Sequence, residues 1–366
     1  MNYFGDVYRG RRVLVTGHTG FKGSWLSVWL SHLGAEVAGF SIDVPTTPSN
    51  FELLQLERQM RHYIGDVRHG ARLNEVVAEF RPEIIFHLAA QALVRRSYAD
   101  PVATFDTNVM GMVNVLECVR AHPSIEVAVL ITSDKAYRNV EWPWGYRETD
   151  VLGGYDPYSA SKSCADLIAQ SYCHAFLHNG ETRVAIARAG NVIGGGDWAD
   201  DRIVPDCVRA WSEGDVVSVR SPEATRPWQH VLEPLSGYLW LGAELLRKRG
   251  NLNGEAFNFG PDARVNQSVA GLLDAMMVRW PGSKWSVPAG CEQGGHEAVL
   301  LKLSCDKALQ LLGWRPVLQF EETVEFTVDW YLASNQGSAD LMAYSLGQID
   351  RYCQLAESRS LVWARV

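Results

Sequence analysis

Tyr158 and Lys162 have the types and spacing of a proton-abstracting pair, four residues apart on one face of the helical stretch that follows Pro157. A nearby cation favours the phenolate, so Tyr158 could take a proton from a hydroxyl group while hydride leaves the same carbon. A hydride needs an acceptor. The turn Thr16-Gly17-His18-Thr19-Gly20-Phe21-Lys22-Gly23 offers a place for one: it follows the apolar run Val13–Val15, opens a helical pattern and spaces its glycines G-x-x-G-x-x-G. Such glycines permit a tight turn and let backbone N–H groups and the positive end of a helix approach a pyrophosphate. A dinucleotide held by Gly17, Gly20, Phe21 and Gly23 is therefore expected.

An acidic group near the end of the second strand commonly holds the adenosine ribose and disfavours a 2′-phosphate. Ser41 is nearest that position and Asp43 stands two residues on, so either is a candidate ribose ligand and NAD is the expected cofactor. Asp66-Val67, after the third expected strand, has the types for an adenine-edge contact.

The elements that must position these residues are legible as short apolar runs alternating with helical periods. Val13–Val15, a helix over Ser24–Leu33, Val37–Phe40, a helix over Leu73–Phe80 and Ile84–Leu88 read as β-α-β-α-β. Strands apolar at consecutive positions must be covered on both faces, which calls for a parallel sheet with crossover helices. Strands at Val127–Thr132 and Val184–Arg188, with helices over Val102–Ala121 and Tyr158–Leu177, complete a doubly wound α/β domain over residues 1–190. Glycines and prolines then break the chain into shorter pieces, so 191–366 is mainly a smaller α/β substrate-binding lobe, with a strand near 256–260 returning to the main sheet.

Composition excludes several classes. A formal charge of −8 argues against a nucleic-acid partner, which needs a basic face. The seven cysteines are scattered without a C-x-x-C pair, so neither zinc nor a redox dithiol is expected, and reduced cytoplasmic thiols fit best. No metal site is expected, and no apolar run has the length of a membrane span.

These residues resemble the extended short-chain dehydrogenase/reductases over nearly the whole length. Gly17, Gly20 and Gly23, then His87-Leu88-Ala89-Ala90-Gln91 on the fourth strand, Asn108 in the next helix, and Tyr158 with Lys162 all fall where that family has them. The resemblance implies a Rossmann-like sheet, an NAD cofactor also contacted by Leu88, Ala89, Ala90, Asn108 and Arg188, and a nucleotide-sugar substrate. Epimerases of this family carry small or hydroxylic residues where Asp134 and Lys135 stand in Thr132-Ser133-Asp134-Lys135-Ala136-Tyr137. An acid and a second proton carrier suit elimination of water, as in the 4,6-dehydratases. Most of those have Thr-Asp-Glu here, and the Ser133-Asp134-Lys135 form resembles the branch acting on CDP-D-glucose.

Arg188–Trp198, Asp201–Asp206, Thr225–His230, His296-Glu297-Ala298 and Leu301-Lys302-Leu303 resemble the same branch. The likeness implies substrate contacts from Gln91, Asn191, Arg202, Arg226, His230, His296 and Glu297. Arg202 and Arg226 are guanidinium forks suited to a diphosphate. The implied reaction oxidises C4 with Tyr158 as base, eliminates water across C5 and C6 with Asp134 as acid, and returns the hydride to C6. Ser133 would orient the C4 oxygen, and Lys135 is either the C5 base or an electrostatic group. An epimerase, a dehydratase of another nucleotide sugar and a non-catalytic dinucleotide sensor are the alternatives. The helices over Val102–Ala121 and Tyr158–Leu177 resemble those that pair across a homodimer interface, with a tetramer as the larger form. The product would feed deoxysugar synthesis for surface polysaccharides such as lipopolysaccharide O-antigen.

Overall fold

The computed structural model describes residues 3–178, 180–248, 251–262, 265–288, 300–337 and 340–365. Its centre is a seven-stranded sheet, parallel throughout. In chain order the first six strands are β1 (Arg12–Thr16), β2 (Glu36–Ser41), β3 (Arg61–Ile64), β4 (Ile84–His87), β5 (Val127–Ile131) and β6 (Arg183–Ala189). Across the sheet they lie β3-β2-β1-β4-β5-β6, and the strand Ala256–Phe259 closes the edge beside β6. The direction of winding reverses between β1 and β4, which leaves a crevice beyond the carboxyl ends of those strands.

Both faces of the sheet are covered, as the consecutive apolar positions require. Val13 and Val15 of β1, Val127 and Val129 of β5, and Ala185 and Ala187 of β6 enter one core cluster. Leu14, Ala128, Leu130, Val184 and Ile186 enter the other. Trp25 and Trp29 of the first helix (Phe21–His32) are wholly buried in the first cluster, so they are packing residues.

The helix expected over Val102–Ala121 is interrupted. It runs Pro101–Phe105, widens into a π-turn at Asp106–Met110 and resumes at Gly111–Ala121. The helix carrying Tyr158 and Lys162 spans Pro157–Tyr172 and likewise ends in a π-turn, Cys173–Leu177. The first π-turn carries Asn108, whose Nδ2 donates to Ser161 Oγ of the Tyr158 helix. Periodicity alone could not locate an extra residue in a turn.

Beyond β6 the chain forms paired short strands: Val192–Ile193 with Gln229–His230, Thr225–Arg226 with Gln267–Ser268, and Val216–Ser218 with Lys284–Ser286. Among the described residues no helix is long and apolar enough to cross a membrane, no His, Cys, Asp and Glu group could hold a metal ion, and the free cysteines include four buried thiols.

Glu233, at the start of the helix Leu232–Leu246, ties the C-terminal segment to this body. Its wholly buried carboxylate accepts the backbone N–H groups of Val317 (2.9 and 3.0 Å) and Leu318 (2.5 Å) and the Tyr352 hydroxyl (2.8 Å). Burial nonetheless pushes this carboxyl up to about 7. Glu233→Gln replaces an acceptor oxygen by a donor facing those donors. The expected loss is about 1–3 kcal/mol of stability, the cost of an unsatisfied buried polar group, read as a lower urea midpoint. An unchanged midpoint would mean that packing alone holds the segment.

Candidate active site

Each polar residue of the crevice is set by the element that ends beside it. β5 stops at Ile131, Thr132 turns the chain, and Ser133 caps a single 3-10 turn, Asp134–Ala136, by accepting the Lys135 N–H at 3.2 Å. The Tyr158 helix starts on an Asp156 cap with Pro157 in its first turn. It is fastened to the β5 turn by Ser163 Oγ donating to Ala136 O at 2.8 Å, and Ser97 Oγ accepts the Tyr158 N–H at 3.1 Å. Tyr158, Lys162, Ser133 and Asp134 are thereby brought together, each less than a tenth exposed, with Lys135 half-buried beside them.

Burial governs the electrostatics here. It pushes the Tyr158 phenol up to about 12, outweighing a hydrogen bond with Ser133 and the charge of Arg202, both of which favour the phenolate. Lys162 is pulled down to about 8 by the same cause, against the opposing charge of Asp166. The Asp134 carboxyl is raised despite Lys135, Ser133 and Lys22. Its Oδ1 accepts the Ser133 hydroxyl at 2.9 Å, while its buried Oδ2 has no partner. A carboxyl that is hard to ionise, with one oxygen free, has the properties of a proton donor.

Sequence reasoning passed over Lys22. It lies in the first turn of the first helix, and burial pulls it down to about 8 within the fields of Arg202, Asp134, Lys162 and Asp197. A basic residue inside a glycine turn was the available signal.

The glycine turn is built as its spacing predicts. Gly17 has φ +77°, and a Cβ there would stand 2.7 Å from Ala89 N; a Cβ on Gly23 would stand 2.1 Å from Gly17 O. Gly20 begins the first helix with no side-chain cap and meets nothing closer than 3.4 Å. An uncapped helix start beside a bare glycine fits a pyrophosphate. Ser41 is buried and engaged with His18 Nδ1 at 2.9 Å, whereas Asp43 is exposed, so Asp43 is the ribose candidate whose carboxylate faces open space. His18 lies over Gly39, where a Cβ would meet its ring at 2.1 Å, and bonds to His62 at 2.7 Å. Asp66 is nine-tenths buried and ion-paired with Arg68 at 2.6 Å, with Val67 buried behind it. Phe21, Leu88, Ala89 and Ala90 are half-buried at the crevice.

Four expected ligands have side chains that the protein itself engages or encloses. Arg188 is fully buried, and its guanidinium is taken by Asp166, Tyr137 and Glu148 O. Asn108 donates to Gln91 O and Ser161 Oγ and accepts from Gln91 N–H, which makes it a brace between loop and helix. The Gln91 side chain is occupied by Leu93 of its own loop and Thr104 of the helix Pro101–Phe105. His230 is fully buried among Trp25 and Phe326, held neutral by burial at about 3.

Arg202 is about a third exposed (36%) and bonded to Asp197 at 2.8 Å, and its field reaches Tyr158. Asn191 and Arg226 are half-buried, the latter donating to Thr225 O at 2.8 Å. His296 and Glu297 lie outside the described residues.

The profile of the family described as GDP-mannose 4,6 dehydratase matches residues 14–327. The chain is 47% identical over 353 residues to a CDP-glucose 4,6-dehydratase of Salmonella typhimurium, covering 95% of this chain and 97% of the relative. It is 31% identical to a dTDP-glucose 4,6-dehydratase of Streptomyces antibioticus, over 73% and 75%. A solved dTDP-glucose 4,6-dehydratase from Streptomyces venezuelae with NAD bound shares the fold at TM-score 0.73 and 24% identity, covering 90% of this chain and 99% of that one. So does a UDP-glucose 4-epimerase from Thermotoga maritima, at TM-score 0.74 and 22% identity, over 88% and 99%.

Proposed function

The chain belongs to the GDP-mannose 4,6-dehydratase family, and from that premise we propose that it converts CDP-D-glucose to CDP-4-dehydro-6-deoxy-D-glucose and water with NAD as cofactor. The observation that carries the reading is Asp134, a buried carboxyl with raised proton affinity and an unpartnered oxygen, beside Tyr158. An epimerase has no use for such an acid. The 47% identity with a CDP-glucose 4,6-dehydratase supports the choice of nucleotide.

Gly17, Gly20, Gly23, Asp43, Asp66 and Lys162 would hold NAD, which when bound takes hydride from C4 and later returns it to C6. Tyr158 accepts the C4 hydroxyl proton, with the Lys162 ammonium and Ser133 favouring its phenolate. The C4 ketone acidifies C5. Lys135, as base, takes the C5 proton while Asp134 protonates the C6 oxygen, so that the C6–O bond breaks, the C5=C6 bond forms and water leaves. Lys135 then gives its proton back to C5. One turnover leaves Tyr158 protonated and Asp134 ionised. Ser133, hydrogen-bonded to both, is placed to pass the proton between them and restore the starting state. Arg202 and Arg226 are proposed for the diphosphate, and Asn191, His296 and Glu297 for the rest of the nucleotide sugar. Residues 1–190 form the cofactor domain of this proposal and 191–366 mainly the substrate lobe.

Mass measurement of the nucleotide sugar after incubation with CDP-glucose and NAD should show loss of one water. Unchanged mass with altered stereochemistry would make the chain an epimerase, and no change with several nucleotide sugars would make it a sensor. The division of labour separates three variants. Tyr158→Phe should lose about two to four orders of magnitude in kcat with no oxidised sugar. Asp134→Asn should stall after C4 oxidation, giving sugar lighter by two hydrogens with its water retained. Lys135→Met should oxidise C4 yet fail to exchange solvent deuterium into C5; retained exchange would leave Lys135 an electrostatic group.

The same reading includes a cytoplasmic homodimer. Val102, Phe105 and Met110 of one helix and Leu167 and Phe176 of the other are exposed and apolar, a face of the kind that a second copy covers. Light scattering at micromolar concentration should give a dimer or tetramer mass, and a monomer would remove this part.

A further inference from the structure

One helical turn beyond Lys162, Asp166 is wholly buried, and its carboxylate is surrounded by donors. Arg188 reaches it with Nε at 2.8 Å and Nη2 at 2.7 Å, Thr132 Oγ1 at 2.9 Å and Gln170 Nε2 at 2.7 Å. Arg188 is equally buried, with Nη1 donating to the Tyr137 hydroxyl at 2.7 Å and to Glu148 O at 3.0 Å. The proposed reaction uses neither charge. Yet Asp166 is the anion on the same helix face as Lys162, and Thr132 joins it to the turn that carries Ser133, Asp134 and Lys135.

A carboxylate clasped by a guanidinium presents mainly a dipole to a neighbour one turn away, because the two charges nearly cancel at that distance. The donors around Asp166 therefore decide how much of its charge Lys162 feels. We infer that Asp166, Arg188 and Thr132 are positioning residues that set the charge of Lys162 from behind, Asp166 holding its proton and Arg188 with Thr132 limiting that hold. The consequence is an ammonium that burial brings close to neutrality and that the opposing charge of Asp166 does not rescue.

The other groups facing Lys162 are few. From its own helix there is Tyr158, and from β4 there is His87, which burial keeps neutral at about 3. The first helix supplies Lys22, and the β5 turn supplies Asp134 and Lys135. On the helices packed against it, Arg95 pairs with Asp201, Asp106 with Arg68 and Glu117 with Arg120, all at or near the surface. Lys22 titrates in the same range and needs its own control.

The inference rests on the proposed role of Lys162, but its test does not require turnover. In protein with ¹³C-labelled lysine and no ligand, the Lys162 signal is assigned by its loss in Lys162→Met and titrated with pH. Asp166→Asn should move the midpoint about one unit down, and Arg188→Met about one unit up. Thr132→Val, nearly isosteric, should move it up by less, which keeps the test alive if Arg188→Met fails to fold. Arg188→Lys should restore the wild-type midpoint, and the opposed shifts should persist in a Lys22→Met background. A merely structural ion pair would give equal midpoints, or shifts of one sign, and either result overturns the inference. With CDP-glucose, the alkaline limb of kcat should follow the same opposed shifts. If the signal shifts are opposed but CDP-glucose is not consumed, the charge setting stands and the proposed substrate falls.

Discussion

A parallel sheet covered on both faces leaves only its strand ends for chemistry. Along β1, β5 and β6 every interior position feeds one of two apolar cores, so a polar side chain within a strand would be buried without water. The exception at the end of β6 is instructive. Arg188 sits on a strand, and it is tolerated because Asp166, Tyr137 and a backbone carbonyl satisfy its guanidinium. The residues at and after the strand ends carry the rest: the glycine turn after β1, Ser41 at the end of β2 and Asp43 beyond it, Ala89 and Ala90 after β4, Ser133 to Lys135 after β5, and Asn191 after β6.

The same enclosure decides the charges. In water, Tyr158 beside Lys162 would be argued from Coulomb attraction, which lowers the phenol. In the folded chain desolvation is larger than that attraction, so the phenol rises to about 12 while Lys162 falls to about 8. Both groups move towards their neutral forms, and Asp134 does too. A site that holds its acid, its base and its ammonium close to neutrality is poised to move protons in either direction, which a dehydration that must reset itself requires.

Much of this was legible in the residues. The alternation of apolar runs located β1, β2, β4, β5 and β6, because a core covered on both faces writes itself as consecutive apolar positions. The Tyr158 and Lys162 spacing and the Ser133-Asp134-Lys135 triplet marked residues that the fold does bring together. What stayed hidden depends on tertiary distance. The bounds of the third strand, expected before Asp66, were not marked by an apolar run, because Arg61–Ile64 lies at the sheet's edge. The π-turn at Asp106–Met110 carries no periodic signature, and it brings Asn108 to Ser161. Lys22 looked like part of a phosphate loop and nothing more.

Arg188, Asn108, Gln91 and His230 share one feature. Each stands in a motif beside true crevice residues, and each has a side chain capable of ligand contact. In the fold, however, Arg188, Asn108 and Gln91 have their polar atoms engaged by neighbours, and His230 is enclosed by aromatic rings. Asp134 keeps a buried, unpartnered Oδ2 beside Tyr158 and Ser133, whereas the unpartnered Nε2 of His230 lies among aromatic rings. A buried polar atom left unpaired is costly, and it is tolerated where something else will meet it during function. An unpaired atom marks a candidate only together with its place: Asp134 Oδ2 is unpartnered and stands beside Tyr158, while Asp66 and Arg202 are proposed for ligands although Arg68 and Asp197 engage them.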